Sequence, residues 1–472
     1  MLTAWRMRTA FLYGGLLALL FVAIGCSAES PQSTFDAAGY VSKSQLNLFY
    51  IIFWAAAFVF FVVEGLLLYT VIRYRWKKGQ PEPAQTHDNH KLEILWTVAP
   101  AIVLAIIAVP TIMSIFELHT PPDKDRLDIT VVGHQWFWEF EYPDLGIKTS
   151  NELHIPTGKV INLTLKSDDV LHSFWVPKLA GKQDIIPSRE NQMWLIADEP
   201  GVYFGQCAEF CGVAHAQMRF RVIAESPVEF DKWAKDFLRP SLVPKGMAKE
   251  GAKLFNEKGC IACHTIQDNP IARGNIGPSL THFGLRNTIA AGILEKDEFG
   301  ENLTKWLTNP EEVKPGNIMA RDGVVYNDTK MAMTNKDVAA LVIYLNSLNP
   351  DMNKEPIVPG STAGPSMISG EIPEPTPGDK ANGEALFSAQ GCSACHSIGT
   401  DTLIGPGLSG LADTASDRVK ELSAGQYIYQ SIIDPSAVVV SDFPDNVMPQ
   451  VFADILTEEE IYDLVEYLKS LK

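Results

Sequence analysis

Long basic runs are missing from this chain of 472 residues. Its 39 Lys and Arg are outnumbered by 56 Asp and Glu, for a formal net charge of −17, which leaves a nucleic-acid phosphate backbone nothing to bind. Extended apolar segments are also few. A mean hydropathy of only +0.02 excludes a polytopic transporter and confines membrane crossing to local stretches. Cysteine is sparse: there are seven, an odd number, and each falls in a spacing that explains it without a disulfide. At ~150 residues per domain the length predicts about three domains.

The residues that are present fall in a clear order along the chain. Residues 1–26 run from Arg6 and Arg8 through an apolar stretch, Phe11 to Ile24, to Gly25 and Cys26, and read as an export signal. The ending Ala23-Ile24-Gly25-Cys26 resembles a bacterial lipoprotein cleavage site, which would make Cys26 a lipidated N-terminus. The alternatives are an uncleaved anchor or a buried thiol. Leu46 to Ile72 is long enough for the ~20 residues that cross a bilayer, and it closes in Arg73, Arg75, Lys77 and Lys78. A further run spans Leu92 to Phe116. The basic loop between them is predicted to be cytoplasmic, so residues 40–116 form a two-helix transmembrane hairpin with everything after Phe116 on the outside. Glu64 lies within the first span, where it must face a partner helix or stay neutral. Pro100 and Pro110 interrupt the second span, which also implies a bundle partner.

From Leu127 the hydrophobic period changes to two, in Asp128 to Val132, Lys159 to Leu165, Met193 to Ile196 and Met218 to Val222. Residues 117–230 therefore read as an all-β sandwich or barrel. After Pro227 the pattern is helical, and it repeats. Gly251-Ala-Lys-Leu-Phe-Asn-Glu-Lys-Gly-Cys260 pairs with Gly383-Glu-Ala-Leu-Phe-Ser-Ala-Gln-Gly-Cys392, and Leu341 to Leu348 pairs with Leu464 to Leu471. Two copies of one all-α domain are predicted, over 245–349 and 379–472. A Pro, Gly and Ser-rich linker over 350–378 leaves the second copy free to move.

Each repeat carries Cys-x-x-Cys-His: Cys260, Cys263, His264 and Cys392, Cys395, His396. Two close thiols can add across the two vinyl groups of one haem, and the adjacent imidazole can then reach the iron. A lone copy would also suit a zinc or redox site, but both copies share a downstream Gly-Pro turn, Gly277-Pro278 and Gly405-Pro406, and then a Met. Met319 and Met448 are the candidate sixth ligands, with Met331 and Met333 as rivals in the first repeat. A thioether there favours electron transfer over gas binding. Both repeats resemble class I c-type cytochrome domains, which implies two covalently bound haem c groups.

The densest cluster is Cys207-Ala-Glu209-Phe-Cys211-Gly-Val-Ala-His215-Ala-Gln-Met218, with His172 upstream. Two thiolates, two imidazoles and a thioether form a soft donor set suited to copper; zinc would accept the Cys₂His₂ subset. Two Cys can bridge a pair of copper ions. With the hairpin before it, this stretch resembles subunit II of a haem-copper cytochrome c oxidase over residues 40–230, and the fused cytochromes resemble the caa3-type pattern, which more often has one.

The resemblance implies a Greek-key cupredoxin domain holding the binuclear centre Cu-A. Its ligands would be His172, Cys207, the Glu209 backbone carbonyl, Cys211, His215 and Met218, and the Glu209 carboxylate would contribute to a Mg²⁺ site shared with subunit I. Gly133-His134-Gln-Trp136-Phe-Trp138-Glu-Phe-Glu-Tyr142 matches the family's aromatic stretch, making Trp136 the point where electrons come in; rings here can also simply fill the core. Leu92-Glu93-Ile-Leu-Trp96-Thr97-Val-Ala-Pro100 matches the start of the family's second membrane helix, making Glu93 the mouth of a proton pathway; an acid in a helix's first turn is also favourable in itself. Ser188 departs from the glycine more usual in the family.

The implied function is the electron-input subunit of a proton-pumping aa3/caa3-type oxidase in a bacterial cytoplasmic membrane, with its copper and cytochrome domains on the periplasmic or extracellular side. Electrons would pass from a cytochrome c or a quinol-oxidising respiratory complex through two haem c groups and Cu-A to haem a of subunit I, with subunit III as a further partner. No His cluster on the apolar spans can hold the oxygen-reducing site, so that site belongs to another chain. The rival expectations are the equivalent subunit of a Cu-A-containing nitric oxide reductase, and a membrane-anchored electron shuttle.

Overall fold

Two long helices open the computed structural model, which describes residues 30–79, 88–122, 125–356, 372–420, 422–441, 443, 448–450 and 452–471. The export signal with Cys26 lies outside the described residues. Helix α1 (Tyr40–Arg73) and helix α2 (His90–His119) pack on each other and otherwise present apolar side chains outward rather than into a core. Both overrun the apolar spans read from sequence, because helical hydrogen bonding continues past the hydrocarbon boundary. Asn89 caps α2 by accepting from the Leu92 N–H at 3.2 Å. The hairpin is tied to the sandwich after it: Tyr40 hydrogen-bonds Glu117 and stacks on Trp194, whose Nε1 donates to the Leu118 carbonyl at 2.9 Å.

Ten strands form two five-stranded sheets, in the orders β3-β2-β1-β5-β8 and β4-β10-β9-β6-β7. They are β1 (Arg126–His134), β2 (Phe137–Tyr142), β3 (Ile147–Ser150), β4 (Glu152–Pro156), β5 (Val160–Ser167), β6 (His172–Trp175), β7 (Gln183–Ile185), β8 (Asn191–Leu195), β9 (Gly201–Cys207) and β10 (Arg219–Glu225). Pairing is mostly antiparallel, but β1 with β5 and β4 with β10 are parallel, so the chain crosses between sheets rather than meandering. Alternation places Leu127, Ile129 and Val131 of β1 in the core. Trp138, Phe140, Phe174 and Phe220 interdigitate between the sheets, and Gly205 leaves the space that Phe220 takes, since a Cβ there would lie 2.2 Å from its ring. Ser188 has φ +61°, the left-handed region that the more usual glycine enters freely.

Helix α3 (Pro227–Phe237) closes the sandwich with a Ser226/Glu229 capping box. Each helical repeat is then built on a crossing of its first and last helices: α4 (Met247–Glu257) on α5 (Asn335–Ser347), and α6 (Lys380–Ala389) on α7 (Glu458–Lys469). The same glycine permits both crossings. A Cβ on Gly251 would lie 2.1 Å from the Ala340 carbonyl oxygen, and one on Gly383 would lie 2.0 Å from that of Asp463. The repeat read from sequence is therefore a repeat of helix contact.

The linker is shorter than its composition suggested. The Leu242 N–H donates to the Asn349 carbonyl and the Asp351 N–H to that of Pro240, so residues 349–351 still belong to the first repeat. Glu374 accepts from Ser423, and the Ile372 carbonyl accepts from Gln426, so those residues belong to the second. Nor do the repeats stand apart as the linker's composition suggested, since their apolar cores are continuous through Ile261, Phe387 and Leu408.

The first repeat is docked on the β-sandwich through polar groups. The Glu152 carboxylate, 2% exposed, accepts from the N–H groups of Asn287 and Thr288 and the Thr288 hydroxyl, all at 2.8 Å. Arg221 reaches the Gly292 carbonyl and Glu295 at 3.2 Å. Three donors on one buried carboxylate meet the satisfaction that its burial requires.

Candidate functional site

Four pieces of the sandwich converge on one cluster. β6 supplies His172, the end of β9 supplies Cys207, the following loop supplies Glu209 and Cys211, and a single turn, His215–Gln217, delivers His215 and Met218. The Cys207 and Cys211 sulfurs are 3.8 Å apart, well beyond the ~2.05 Å of a disulfide. Cys207 Sγ lies 3.9 Å from His172 Nδ1 and 3.2 Å from the Glu209 carbonyl oxygen; Cys211 Sγ lies 3.6 Å from His215 Nδ1 and 3.8 Å from Met218 Sδ. All six candidate ligands are thus brought together around the two sulfurs. The hydrogen bond between the two sulfurs splits their acidities, holding Cys207 far below the usual thiol range and Cys211 above it. The donors are soft and inward-facing, so they fit copper.

Residues outside the sequence motif hold these donors in place. Asp169 Oδ1 meets His172 Nε2 at 2.7 Å, and the Asp169 carboxylate itself accepts from the N–H groups of Gln135 and Val170 at 2.6 Å. Burial is the largest single influence and opposes charge on both partners. Their mutual hydrogen bond, the other hydrogen bonds they make (Val170 and Gln135 N–H to Asp169, Cys207 to His172) and their mutual charge together outweigh it, lowering the Asp169 carboxyl and raising the His172 imidazole. The aspartate fixes the ring so that Nδ1 faces the sulfurs. Gly133 makes room, since a Cβ there would lie 2.9 Å from the His172 ring. Gln135 Nε2 and Trp136 Nε1 both donate to the Cys211 carbonyl, at 2.7 and 3.0 Å. An acid three residues before a His was the available sequence signal for Asp169. Asp169→Asn is expected to lower copper affinity about 10–100-fold with the fold intact, read by titration with a competing chelator.

Each repeat encloses an apolar cavity, and the Cys-x-x-Cys-His residues line it. In the first, His264 Nδ1 hydrogen-bonds the Pro278 carbonyl at 2.8 Å; in the second, His396 Nδ1 hydrogen-bonds that of Pro406 at 2.9 Å. Burial pushes both imidazoles toward the neutral form, so Nδ1 carries the proton and Nε2 keeps a lone pair. Gly277 and Gly405 admit the rings, as a Cβ would come within 2.7 and 2.5 Å of them. Burial also raises the thiols, Cys260 to about 12, Cys263 to about 11, Cys392 to about 12 and Cys395 to about 12. Met319 and Met448 line the first and second cavities; Met333 also lines the first, and Met331 does not. A neutral imidazole, a thioether and two thiols around an apolar cavity fit a covalently bound haem.

Trp136 lies between the sites. Its indole, 7% exposed, lines the first cavity, and its carbonyl accepts from the buried Lys314 Nζ at 2.5 Å. Glu93 is far from both centres, in the first turn of α2, where its carboxylate meets the His90 ring at 3.2 Å. Glu209 joins the sulfur cluster through its carbonyl oxygen.

Comparison with known proteins gives the family. Residues 29–113 match the family profile described as cytochrome c oxidase subunit II, transmembrane domain, residues 145–225 that for its periplasmic domain, and residues 248–349 and 380–472 each match cytochrome c. The cytochrome c oxidase subunit 2 of Alkalihalophilus pseudofirmus is 38% identical over 351 residues, 73% of this chain and 98% of that one. That of Bacillus sp. (strain PS3) is 40% identical over 363 residues, 73% of this chain and 97% of that one. A solved structure, the periplasmic domain of subunit II of cytochrome oxidase from Bradyrhizobium japonicum, is 33% identical, covers 24% of this chain and 94% of that one, and has a TM-score of 0.24. With a membrane hairpin, a copper-binding sandwich and two haem c domains in one polypeptide, the chain belongs to the cytochrome c oxidase subunit II family.

Proposed function

We propose that this chain is the electron-input subunit of a proton-pumping oxidase, taking electrons from a soluble or membrane-bound carrier through two haem c groups and a binuclear Cu-A centre to haem a of subunit I. The observation that carries the reading is the pair of free sulfurs 3.8 Å apart with His172, His215, Met218 and the Glu209 carbonyl around them. One Cys would suffice for a mononuclear copper; two unbonded Cys at this separation suit a bridged pair, which when bound supplies one-electron chemistry with little change of geometry.

The chain's own residues orient and insulate that centre. His172, His215, Cys207, Cys211, Met218 and the Glu209 carbonyl would hold the copper, the two thiolates and two imidazoles as the stronger donors and the thioether and carbonyl as the weaker ones. The Glu209 side chain is then free to contribute to a Mg²⁺ site shared with subunit I. Phe210 and Val213, 73% and 76% exposed beside the cluster, are an apolar face suited to that subunit. The outward apolar surfaces of α1 and α2 suit subunits I and III and lipid, with Glu93 at the cytoplasmic end as the mouth of a proton pathway. The basic residues Arg73, Arg75, Lys77 and Lys78 between the two spans favour a topology with the copper and haem domains on the periplasmic or extracellular side of the cytoplasmic membrane. Residues 379–472 hold five basic and fifteen acidic residues, a net charge of −10, which favours a cationic carrier as donor.

The test is purification of the native complex with its partners and an assay of oxygen against nitric oxide as terminal acceptor. Oxygen reduction coupled to proton release supports the reading. Turnover of nitric oxide alone assigns the chain to a nitric oxide reductase, and isolation with no haem a partner makes it a membrane-anchored shuttle.

A further inference from the structure

The two cytochrome domains do not stand equally toward the copper site. The first cavity is walled by Gln135, Trp136 and Phe137 of the β-sandwich and by Lys314, which bonds the Trp136 carbonyl. Among the described residues, the second cavity has no wall from the β-sandwich. Its outside wall comes from the first domain's attachment loop, Ile261 and Ala262, between Cys260 and Cys263. In return Ile404 of the second domain reaches the first cavity.

The contact is close. Ile261 and Ala262 are 4% and 3% exposed, and a Cβ on Gly391, next to Cys392, would lie 2.6 Å from Ile261 Cδ1 and 3.2 Å from the Asn256 carbonyl oxygen. Gly391 also sits at φ +73°, where glycine is favoured on backbone grounds alone. The two thiol-bearing loops therefore face each other.

We infer that the cytochrome domains act in series, the second domain receiving charge from outside and the first handing it to the copper site across Trp136, with the Ile261–Gly391–Ile404 contact as the junction. This order rests on the electron-input reading above and extends it. Transfer through protein falls off steeply with the gap to be crossed, so shared walls decide the route. Among the described residues, the second domain shares one only with the first; the first shares one with each neighbour. The balance is a single electron: a one-electron carrier protein is oxidised by one unit, the copper site is reduced by one, and no bond or proton is exchanged. Docking keeps the junction permanent, whereas a merely tethered second domain would meet the first at a roughly millimolar effective concentration.

The test uses the full-length holoprotein, oxidised and rapidly mixed with a reduced c-type cytochrome, following haem absorbance and the near-infrared copper band separately. In Cys260→Ser/Cys263→Ser the second domain's haem is expected to be reduced at the wild-type rate, while the copper band bleaches about tenfold more slowly or worse, the order of change expected on losing a fixed neighbour. Ile404→Lys, which leaves every Cys, His and Met in place, is expected to slow copper bleaching likewise while haem content stays at the wild-type level, so a folding defect is told apart. Copper bleaching at the wild-type rate in either variant overturns the series. A wild-type protein without covalent haem or a two-copper signal would instead remove the proposed function itself.

Discussion

Cys211→Ser is expected to stop oxygen reduction by the assembled oxidase while both haems stay covalently attached. Cys211 is the member of the sulfur pair that approaches His215 and Met218, at 3.6 and 3.8 Å, and its carbonyl receives both Gln135 and Trp136. Serine keeps the backbone and its two donors, so the loop persists. It replaces a soft, polarisable bridging sulfur by a hard hydroxyl whose pKa keeps it protonated. The remaining soft donors, His172, Cys207, His215 and Met218, can hold one metal ion, and a lone ion there does not reproduce a shared pair. The effect is therefore expected to be loss of turnover to background, far larger than the about 10–100-fold affinity loss expected for Asp169→Asn. Oxygen consumption with an artificial electron donor, beside haem content, checks it. Full turnover in Cys211→Ser would contradict the assignment.

The second large effect concerns Lys314. This lysine is 4% exposed, and its ammonium's one hydrogen bond among the described residues is to the neutral Trp136 carbonyl. Burial lowers its pKa from 10.5 to about 7, partly opposed by the nearby Cys211 sulfur. The unfolded chain holds this proton up to about pH 10, so between about 7 and 10 the unfolded state binds more protons than the folded one. Stability of the first cytochrome domain therefore rises with pH across that window, by a few kcal/mol at ~1.4 kcal/mol per unit, and levels off above it. Lys314→Met removes both the burial cost and the dependence. Its domain is expected to be more stable than wild type near pH 7, the two curves converging toward pH 10. The visible circular dichroism of the first haem during chemical denaturation reads this out. Parallel curves would show that another group neutralises Lys314.

How much of this was legible in the sequence depends on the range of the contact involved. The soft donors from Cys207 to Met218 span twelve positions in one segment, and the Cys-x-x-Cys-His motifs and their Gly-Pro turns are local, so their chemistry shows directly in spacing. The hairpin is legible because apolar length is a composition property. Spacing could not give long-range placement. Lys314 meets Trp136 across 178 positions, and Glu152 meets Thr288 across 136, with no periodicity to announce either. The parallel pairing of β1 with β5 is likewise invisible to alternation, which fixes the face of a strand but not its neighbour. The linker misled for a related reason: Pro and Gly content reports local flexibility, whereas docking depends on partners such as Ser423 and Pro240 that lie far away in sequence.

These long-range contacts are what join the β-sandwich and the first cytochrome domain into one body. Glu152 and Arg221 seat the first cytochrome domain, and Lys314 pins the backbone of Trp136, whose indole in turn bonds the carbonyl of Cys211. Every step of that chain is a hydrogen bond from a buried group, so the distance between the first cavity and the sulfur cluster is fixed by the fold.

The most direct test of the account is low-temperature EPR of the full-length protein, oxidised and loaded with copper. One unpaired electron spread equally over two copper nuclei, with copper and covalent haem in equal amounts, is the predicted result. A spectrum from isolated single copper ions, or zinc in their place, would contradict it.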